Sequence, residues 1–289
     1  MKTILSILGS AQDGGVPQPG CYCNHCKQAM RNPTFRRTAA SLALILPEED
    51  RWHLIDCTPD FKEQLIRVQT SHHLKGKIMD SIFLTHAHMG HYPGISFLGK
   101  EAMNTHRLPV HVGDEMAHML KNNAPWQKLI EDHNMSLQPL HHQTLHRINE
   151  HISIWPILVP HRNEFSETFG FWIEGKNKKV LYIPDIDSWE GWDMNVMDRC
   201  SEADICILDG TFHSSGDLSH IKRDINQIPH PFMTTTMQRL ERFAKNGETD
   251  IYFTHINHSN PVLNTNSPER VNLENRGFKI AYDGMEFLI

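Results

Sequence analysis

The stretch that most constrains this chain is Thr85-His86-Ala87-His88-Met89-Gly90-His91-Tyr92-Pro93-Gly94, where three histidines within six residues follow an apolar run. That run, over 78–84, reads as a buried strand. Backbone leaving its carboxyl end cannot stay extended through Tyr-Pro-Gly, so the three histidines sit on a turn and converge into one cleft. Such a loop suits metal. Imidazole is the commonest side-chain metal ligand, and three in one loop can supply most of a coordination sphere at about 2 Å per bond. The bland alternative is a solvated cluster in a chain with 21 histidines. It is disfavoured because the His141-His142 pair lacks a preceding buried strand and this triplet has one.

At 289 residues the chain can bury a large core, and one α/β domain over 1–289 is expected. A formal net charge of -6 argues against nucleic acid or an anionic membrane as partner. A small-molecule substrate is the better expectation. The first strand begins at Lys2-Thr3-Ile4 and runs into a glycine turn, and no later apolar run approaches membrane-spanning length, so a cytoplasmic setting is expected. Six cysteines in a reducing compartment are not expected to form disulfides. Cys21-x-Cys23-x2-Cys26 instead places three thiolates in one short loop, where they can close on a tetrahedral zinc at about 2.3 Å each. A fourth ligand is needed. Cys57, Cys200 and Cys206 read as buried small side chains.

Along the chain, several apolar strands deliver His or Asp at their carboxyl ends. Asp56 ends a hairpin strand, His86 follows the run at 78–84, and His161 follows a strand over 152–159. Asp185 ends the second of a strand pair at 169–174 and 179–183, and His255 follows a strand over 251–254. In an α/β sheet those ends share one edge, where ligand sites form. Asp187, Asp209 and His213 belong to that edge or simply cap the elements after them. The glycine-rich turn Gly9-Ser10-Ala11-Gln12-Asp13-Gly14-Gly15 reads as a plain turn more readily than a phosphate cradle. A helix is expected over 93–104, and 137–148 reads as an irregular insert, with a lid as one option.

His255 and His258 lie just past a strand end, where successive side chains fan apart. They need not share a metal. We assign His255 to the histidine cleft and His258 to the cysteine loop, so that Cys21, Cys23, Cys26 and His258 form a closed structural zinc site that does no chemistry.

The HxHxxH loop, strand-end His161, Asp185 and His255 together resemble the metallo-β-lactamase superfamily. This resemblance implies an αββα sandwich with a di-metal centre at the sheet edge. The cysteine loop with Thr254-His255-Ile256-Asn257-His258 resembles the phosphoribosyl cyclic-phosphate phosphodiesterases. A broader likeness, to the pyrroloquinoline-quinone biosynthesis protein B family, runs through Gly9-Ser10-Ala11, Thr58-Pro59-Asp60, Asp209-Gly210-Thr211 and Ala281-Tyr282-Asp283-Gly284-Met285-Glu286. Carried over by position, the superfamily pattern implies that His86, His88 and His161 hold one divalent ion, that His91 and His255 hold a second, and that Asp185 bridges.

The superfamily loop has Asp where this chain has Gly90, so the second ion is expected to lose a carboxylate. Two divalent ions against one carboxylate and one hydroxide leave about two positive charges uncompensated. Gly90→Asp is then expected to raise occupancy of the second ion. The excess charge favours a small anionic substrate, and with zinc or manganese the expected reaction is hydrolysis of a phosphodiester by metal-activated water. Asp185, orienting that water, and His213 are the candidate catalytic residues. Tyr92, Arg162 and His230 are candidate substrate contacts, while Trp126 reads as packing. A rival follows from His91, His255 and Asp185, the two-histidine, one-carboxylate set of non-haem iron oxygenases, which the quinone-pathway resemblance favours. A metal-stabilised carrier is a third reading. Oligomeric state is open, a homodimer being one option.

Overall fold

The computed structural model describes residues 2–72, 74, 76–218 and 229–289. A first sheet holds β1 (Ile4–Gly9), β2 (Ser41–Leu46), β3 (Arg51–Ile55), β4 (Ser81–Phe83), β5 (Leu108–Val112) and β6 (Met135–Pro139). The second holds β7 (His146–Arg147), β8 (Ser153–Leu158), β9 (Phe169–Glu174), β10 (Lys179–Ile183), β11 (Ile205–Asp209), β12 (Asp250–Thr254) and β13 (Lys279–Ile280). The last strand, β14 (Glu286–Leu288), returns to the first sheet and pairs antiparallel with β1. The helices are α1 (Asn24–Arg31), α2 (Phe61–Ser71), α3 (Asp114–Lys121), α4 (Ala124–Glu131), α5 (Val196–Glu202), α6 (Met233–Lys245) and α7 (Pro268–Asn275).

Side-chain alternation along the strands builds the layers. In β1, Leu5 and Ile7 face the second sheet while Ile4 and Leu8 face outward, and in β10 Val180 and Tyr182 face inward while Leu181 and Ile183 face outward. Both faces are covered, which is why these strands read as continuous apolar runs rather than as alternating ones. Outside the first sheet lie Phe61 and Val68 of α2, Met116 and Leu120 of α3 and Leu129 of α4. Outside the second lie Cys200 of α5, Met237 and Leu240 of α6 and Leu273 of α7. The order is helix, sheet, sheet, helix, the αββα sandwich expected.

Strands β3 to β6 run parallel to one another, as do β10 to β13, and β8 shares their direction because it is antiparallel to β9. The loops that carry Asp56, His86, His161, Asp185 and His255 therefore leave the sheets at carboxyl ends.

Two local expectations fail. The helix expected over 93–104 is a single short 3-10 turn, Pro93–Leu98, and the chain leaves it extended at Gly99. Gly99, extended at φ -68° and ψ 173°, ends it, and the Asn104 N–H returns to the Gly99 carbonyl at 2.8 Å. The segment 137–148 is irregular only between its ends, over 140–145. Its two ends are β6, parallel to β5 at the edge of one sheet, and β7, antiparallel to β8 at the edge of the other. Edge strands need little apolar surface, which is why its polar composition misleads. Among the described residues no helix is long and apolar enough to cross a membrane.

Away from the cleft, His111 stacks on Phe83 with centroids 4.2 Å apart and planes at 5°. Burial pushes its pKa down to about 4. The unfolded chain, with a histidine pKa of about 6.5, takes up the proton first as pH falls, so this group stabilises the fold above that value. The contribution is lost as pH falls from about 6.5 toward 4. We expect His111→Phe, which retains the stack, to flatten the fall of Tm across that window relative to wild type. An unchanged slope would remove His111 from the acid limb.

Candidate metal centre

Each cleft imidazole is built with one ring nitrogen tied to a protein oxygen. His91 Nδ1 donates to Asp56 Oδ2 at 2.8 Å, and His161 Nδ1 donates to Asp187 Oδ1 at 2.9 Å. His88 Nε2 lies 3.1 Å from Glu164 Oε2. His86 Nδ1 lies 2.9 Å from Thr85 Oγ1, whose hydroxyl donates to the Asp56 carboxylate at 2.9 Å. His255 Nδ1 lies 2.9 Å from Thr211 Oγ1, which donates to Asp209 Oδ1 at 2.8 Å. These ties fix the tautomers, so the opposite nitrogens enter the cleft as lone pairs.

The facing nitrogens are close. His88 Nδ1 lies 2.9 Å from His86 Nε2 and 3.2 Å from His161 Nε2. A cation with bonds of about 2.0–2.1 Å spaces neighbouring ligand nitrogens by about 3.0–3.4 Å, so this triplet has the spacing of a coordination shell. The set of Asp13, His91 and His255 converges likewise, with Asp13 Oδ1 3.4 Å from His91 Nε2 and 3.5 Å from His255 Nε2. Asp185 lies between the sets. Its Oδ2 is 3.1 Å from His91 Nε2 and 3.3 Å from His255 Nε2, while its Oδ1 is 3.6 Å from His161 Nε2. His91 Nε2, His255 Nε2 and Asp185 Oδ2 are buried with no hydrogen-bond partner among the described residues. Orphaned donors of this kind in a buried cluster fit a divalent cation.

The electrostatics agree. Burial raises Asp185, but the His255 and His91 imidazoles overcome it and hold the carboxyl well below its usual range. Burial lowers His91, yet Asp56 and Asp185 outweigh it and hold its pKa well above normal. His86, buried and facing the positive side of His91, is lowered well below normal. A field that keeps a proton between two buried carboxylates also suits a metal cation there.

The second cluster, Cys21, Cys23, Cys26 and His258, also comes together. His258 Nδ1 lies 3.4 Å, 3.6 Å and 3.7 Å from the three Sγ atoms in that order. Tetrahedral zinc with bonds of about 2.3 Å to sulfur and about 2.0 Å to nitrogen requires an S···N edge of about 3.6 Å. Burial, with crowding by Cys23 and Cys21, pushes the Cys26 thiol up to about 12. Three thiolates coexist there only around a cation. Cys57, Cys200 and Cys206 are buried, as expected.

The remaining site candidates separate. His230 joins the cleft: its Nδ1 donates to Asp209 Oδ2 at 2.7 Å and lies 3.9 Å from Asp185 Oδ1. His213 is buried at the entry to α6, where its carbonyl accepts from the Thr234 N–H at 3.2 Å, and it belongs to none of the converging donor sets among the described residues. Tyr92 packs edge-on against Trp126 at 5.4 Å and donates its hydroxyl to Met89 Sδ, so its ring serves the first-sheet core. Arg162 is exposed beside His161, its Nε 4.0 Å from Glu164 Oε1. Sequence reasoning missed Asp13 altogether. It read Asp187 and Asp209 as no more than even candidates, whereas they tie His161 and His230.

With this geometry in place, likeness to known proteins becomes informative. Residues 51–256, well over half the chain, match the family model described as the beta-lactamase superfamily domain. Coenzyme PQQ synthesis protein B of Methylorubrum extorquens is 28% identical, covering 96% of this chain and 97% of its own. The same-named protein of Xanthomonas axonopodis pv. citri is 25% identical over 99% of both. Among solved structures, Zn(2+)-bound PqqB from Methylobacterium extorquens superposes with a TM-score of 0.81 at 23% identity, covering 98% of this chain and 99% of that one. A diphosphatase from the PhnP family superposes at 0.71 and 25% identity, covering 99% and 97%. The chain therefore belongs to the beta-lactamase superfamily and has its metallo-β-lactamase fold, a scaffold for divalent metal.

Proposed function

We propose that this protein is a metal-dependent hydrolase that cleaves a small phosphodiester or related anionic ester. The observation that carries the reading is Asp185, whose two carboxylate oxygens face different imidazole sets, as a bridge between two ions does. Zinc or manganese held there would supply Lewis acidity toward a phosphoryl oxygen and would lower the pKa of bound water toward about 7. His86, His88 and His161 would hold one ion, and His91 and His255 the other. Asp185 accepts a hydrogen bond from the attacking water and aims it. His230, fixed by Asp209 beside Asp185, takes the second polar role in this reading, since it joins the donor sets found among the described residues. Arg162 supplies positive charge at the rim, which suits an anionic substrate.

The likeness to a PhnP-family diphosphatase at 25% identity supports hydrolysis at phosphorus. A net charge of -6 suits a small cytoplasmic substrate better than nucleic acid or a membrane. One observation favours a second reading. Similarity to coenzyme PQQ synthesis protein B extends over 96% and 99% of the chain, and His91, His255 and Asp185 form a set suited to non-haem iron. On this second reading the present chain would oxidise, or carry, a quinone-cofactor precursor.

Bis(4-nitrophenyl) phosphate should be turned over by the zinc- or manganese-loaded protein, and His88→Ala should lower kcat/KM at least about a hundredfold. Absence of turnover with either metal, together with iron in the purified cleft, would transfer the case to the oxidative reading. A separate check concerns the cysteine site. Cys23→Ser is expected to cost one tightly held zinc equivalent and to lower Tm. Retention of that equivalent after the substitution would dismiss the structural zinc.

A further inference from the structure

The turn at residues 12–15 carries a carboxylate whose role spacing alone does not reveal. The turn is closed by the Gly15 N–H on the Gln12 carbonyl at 2.7 Å, and Asp13 stands at its corner. It is zipped to the His255 loop: the Gln12 N–H donates to the Ile256 carbonyl at 3.0 Å, and the Ile256 N–H donates to the Ser10 carbonyl at 2.9 Å. The side chains of Gln12 and Asn257 bond as well. Asp13 Oδ1 thereby reaches His91 Nε2 and His255 Nε2, both buried with no hydrogen-bond partner among the described residues. A Cβ placed on Gly90 would stand 2.0 Å from Asp13 Oδ1, 2.6 Å from its Cγ and 2.7 Å from its Cα. A side chain at position 90 and Asp13 in its present place exclude each other.

We propose that Asp13 is a protein ligand of the second cleft ion, together with His91, His255 and Asp185, and that position 90 is glycine because the Asp13 carboxylate occupies the space beside it. The edges of this set, 3.1 Å to 3.5 Å, are those of a coordination shell. This corrects the expectation that the second ion lacks a second carboxylate, and with it the expectation that Gly90→Asp raises occupancy. It also changes the charge count. Two divalent ions now face two carboxylates and one hydroxide, which leaves about one positive charge rather than two. A singly charged phosphodiester matches that remainder better than a doubly charged phosphomonoester.

The inference rests on the two-ion reading of the cleft, and metal titration separates the two. Wild-type protein should bind three equivalents of zinc, one at the cysteines and two in the cleft, read by elemental analysis and calorimetry. Asp13→Asn should keep the cysteine-bound and first cleft ions, which reports a folded loop, and weaken the third at least about tenfold. Gly90→Asp alone should weaken it too, while Asp13→Gly combined with Gly90→Asp returns a carboxylate to the same space and should recover it. If wild type takes only one cleft ion, the two-ion reading falls and this inference with it. If wild type takes both and Asp13→Asn holds both with unchanged affinity, or Gly90→Asp alone tightens the third, only the Asp13 inference is overturned.

Discussion

The centre depends on one kind of contact, the hydrogen bond that commits one nitrogen of each cleft imidazole to an oxygen outside the cleft. Asp56, Asp187 and Asp209 hold His91, His161 and His230 directly, and Thr85 and Thr211 relay the same two aspartates, Asp56 and Asp209, to His86 and His255. Without these ties each ring could flip or change tautomer, and a buried cluster of imidazoles would hydrogen-bond internally instead of presenting lone pairs. The ties to Asp56 and Asp209 are themselves buried. Burial raises the Asp56 carboxyl, while His91 and the Thr85 N–H, bonded at 2.8 Å, pull it back. The outer ring of oxygens is thus as much a requirement of the fold as the inner ring of nitrogens.

The two sheets make this arrangement in matching halves. At the end of β3, Asp56 receives a threonine hydroxyl and a histidine Nδ1, and at the end of β11, Asp209 receives the same pair of groups. Asp185, from the end of β10, lies between the two halves and touches donors from both. Two residues at these strand ends, Asp56 and His255, adopt left-handed backbone with φ of 63° and 56°. For a non-glycine residue this conformation costs about 1–2 kcal/mol. The surrounding bonds enforce it because it turns the chain sharply inward where an extended exit would carry the side chain past the cleft.

How much of this was legible in the sequence depends on whether a residue's partner lies nearby in the chain. His86, His88 and His91 declared themselves by spacing after a strand, and His161, Asp185 and His255 by standing at strand ends, because strand direction is a local property. Cys21, Cys23 and Cys26 did so for the same reason. Asp13 was illegible in a different way. Its neighbours are glycines that signal only a turn, and the groups it meets come from loops far along the chain. The usable clue was Gly90, since a metal loop without its carboxylate calls for one from elsewhere. Tyr92 shows how a residue beside the motif can place its ring in the core. Edge strands β6 and β7 were lost because polar, half-covered strands carry almost no periodic signal.

The same geometry joins the two metal clusters more closely than their separate chemistry suggests. Cys26 and His258 meet across a separation of 232 residues, so an ion at that site pins the amino-terminal segment to the loop after β12. Loop-closure entropy grows only slowly with length, by about 0.6 kcal/mol per doubling, so the length of the tether is not what makes the pin important. Its position is. One side of the pin leads back through cis Val16-Pro17 to Asp13, and the other leads back three residues to His255. The backbone pairing of Ala11 with Ile256 lies between. The sealed sulfur site therefore fixes, from outside the cleft, the spacing between a carboxylate and an imidazole within it. An ion closed there, touching no substrate, would support the chemistry by holding Asp13 and His255, the proposed ligands of the open centre, in register.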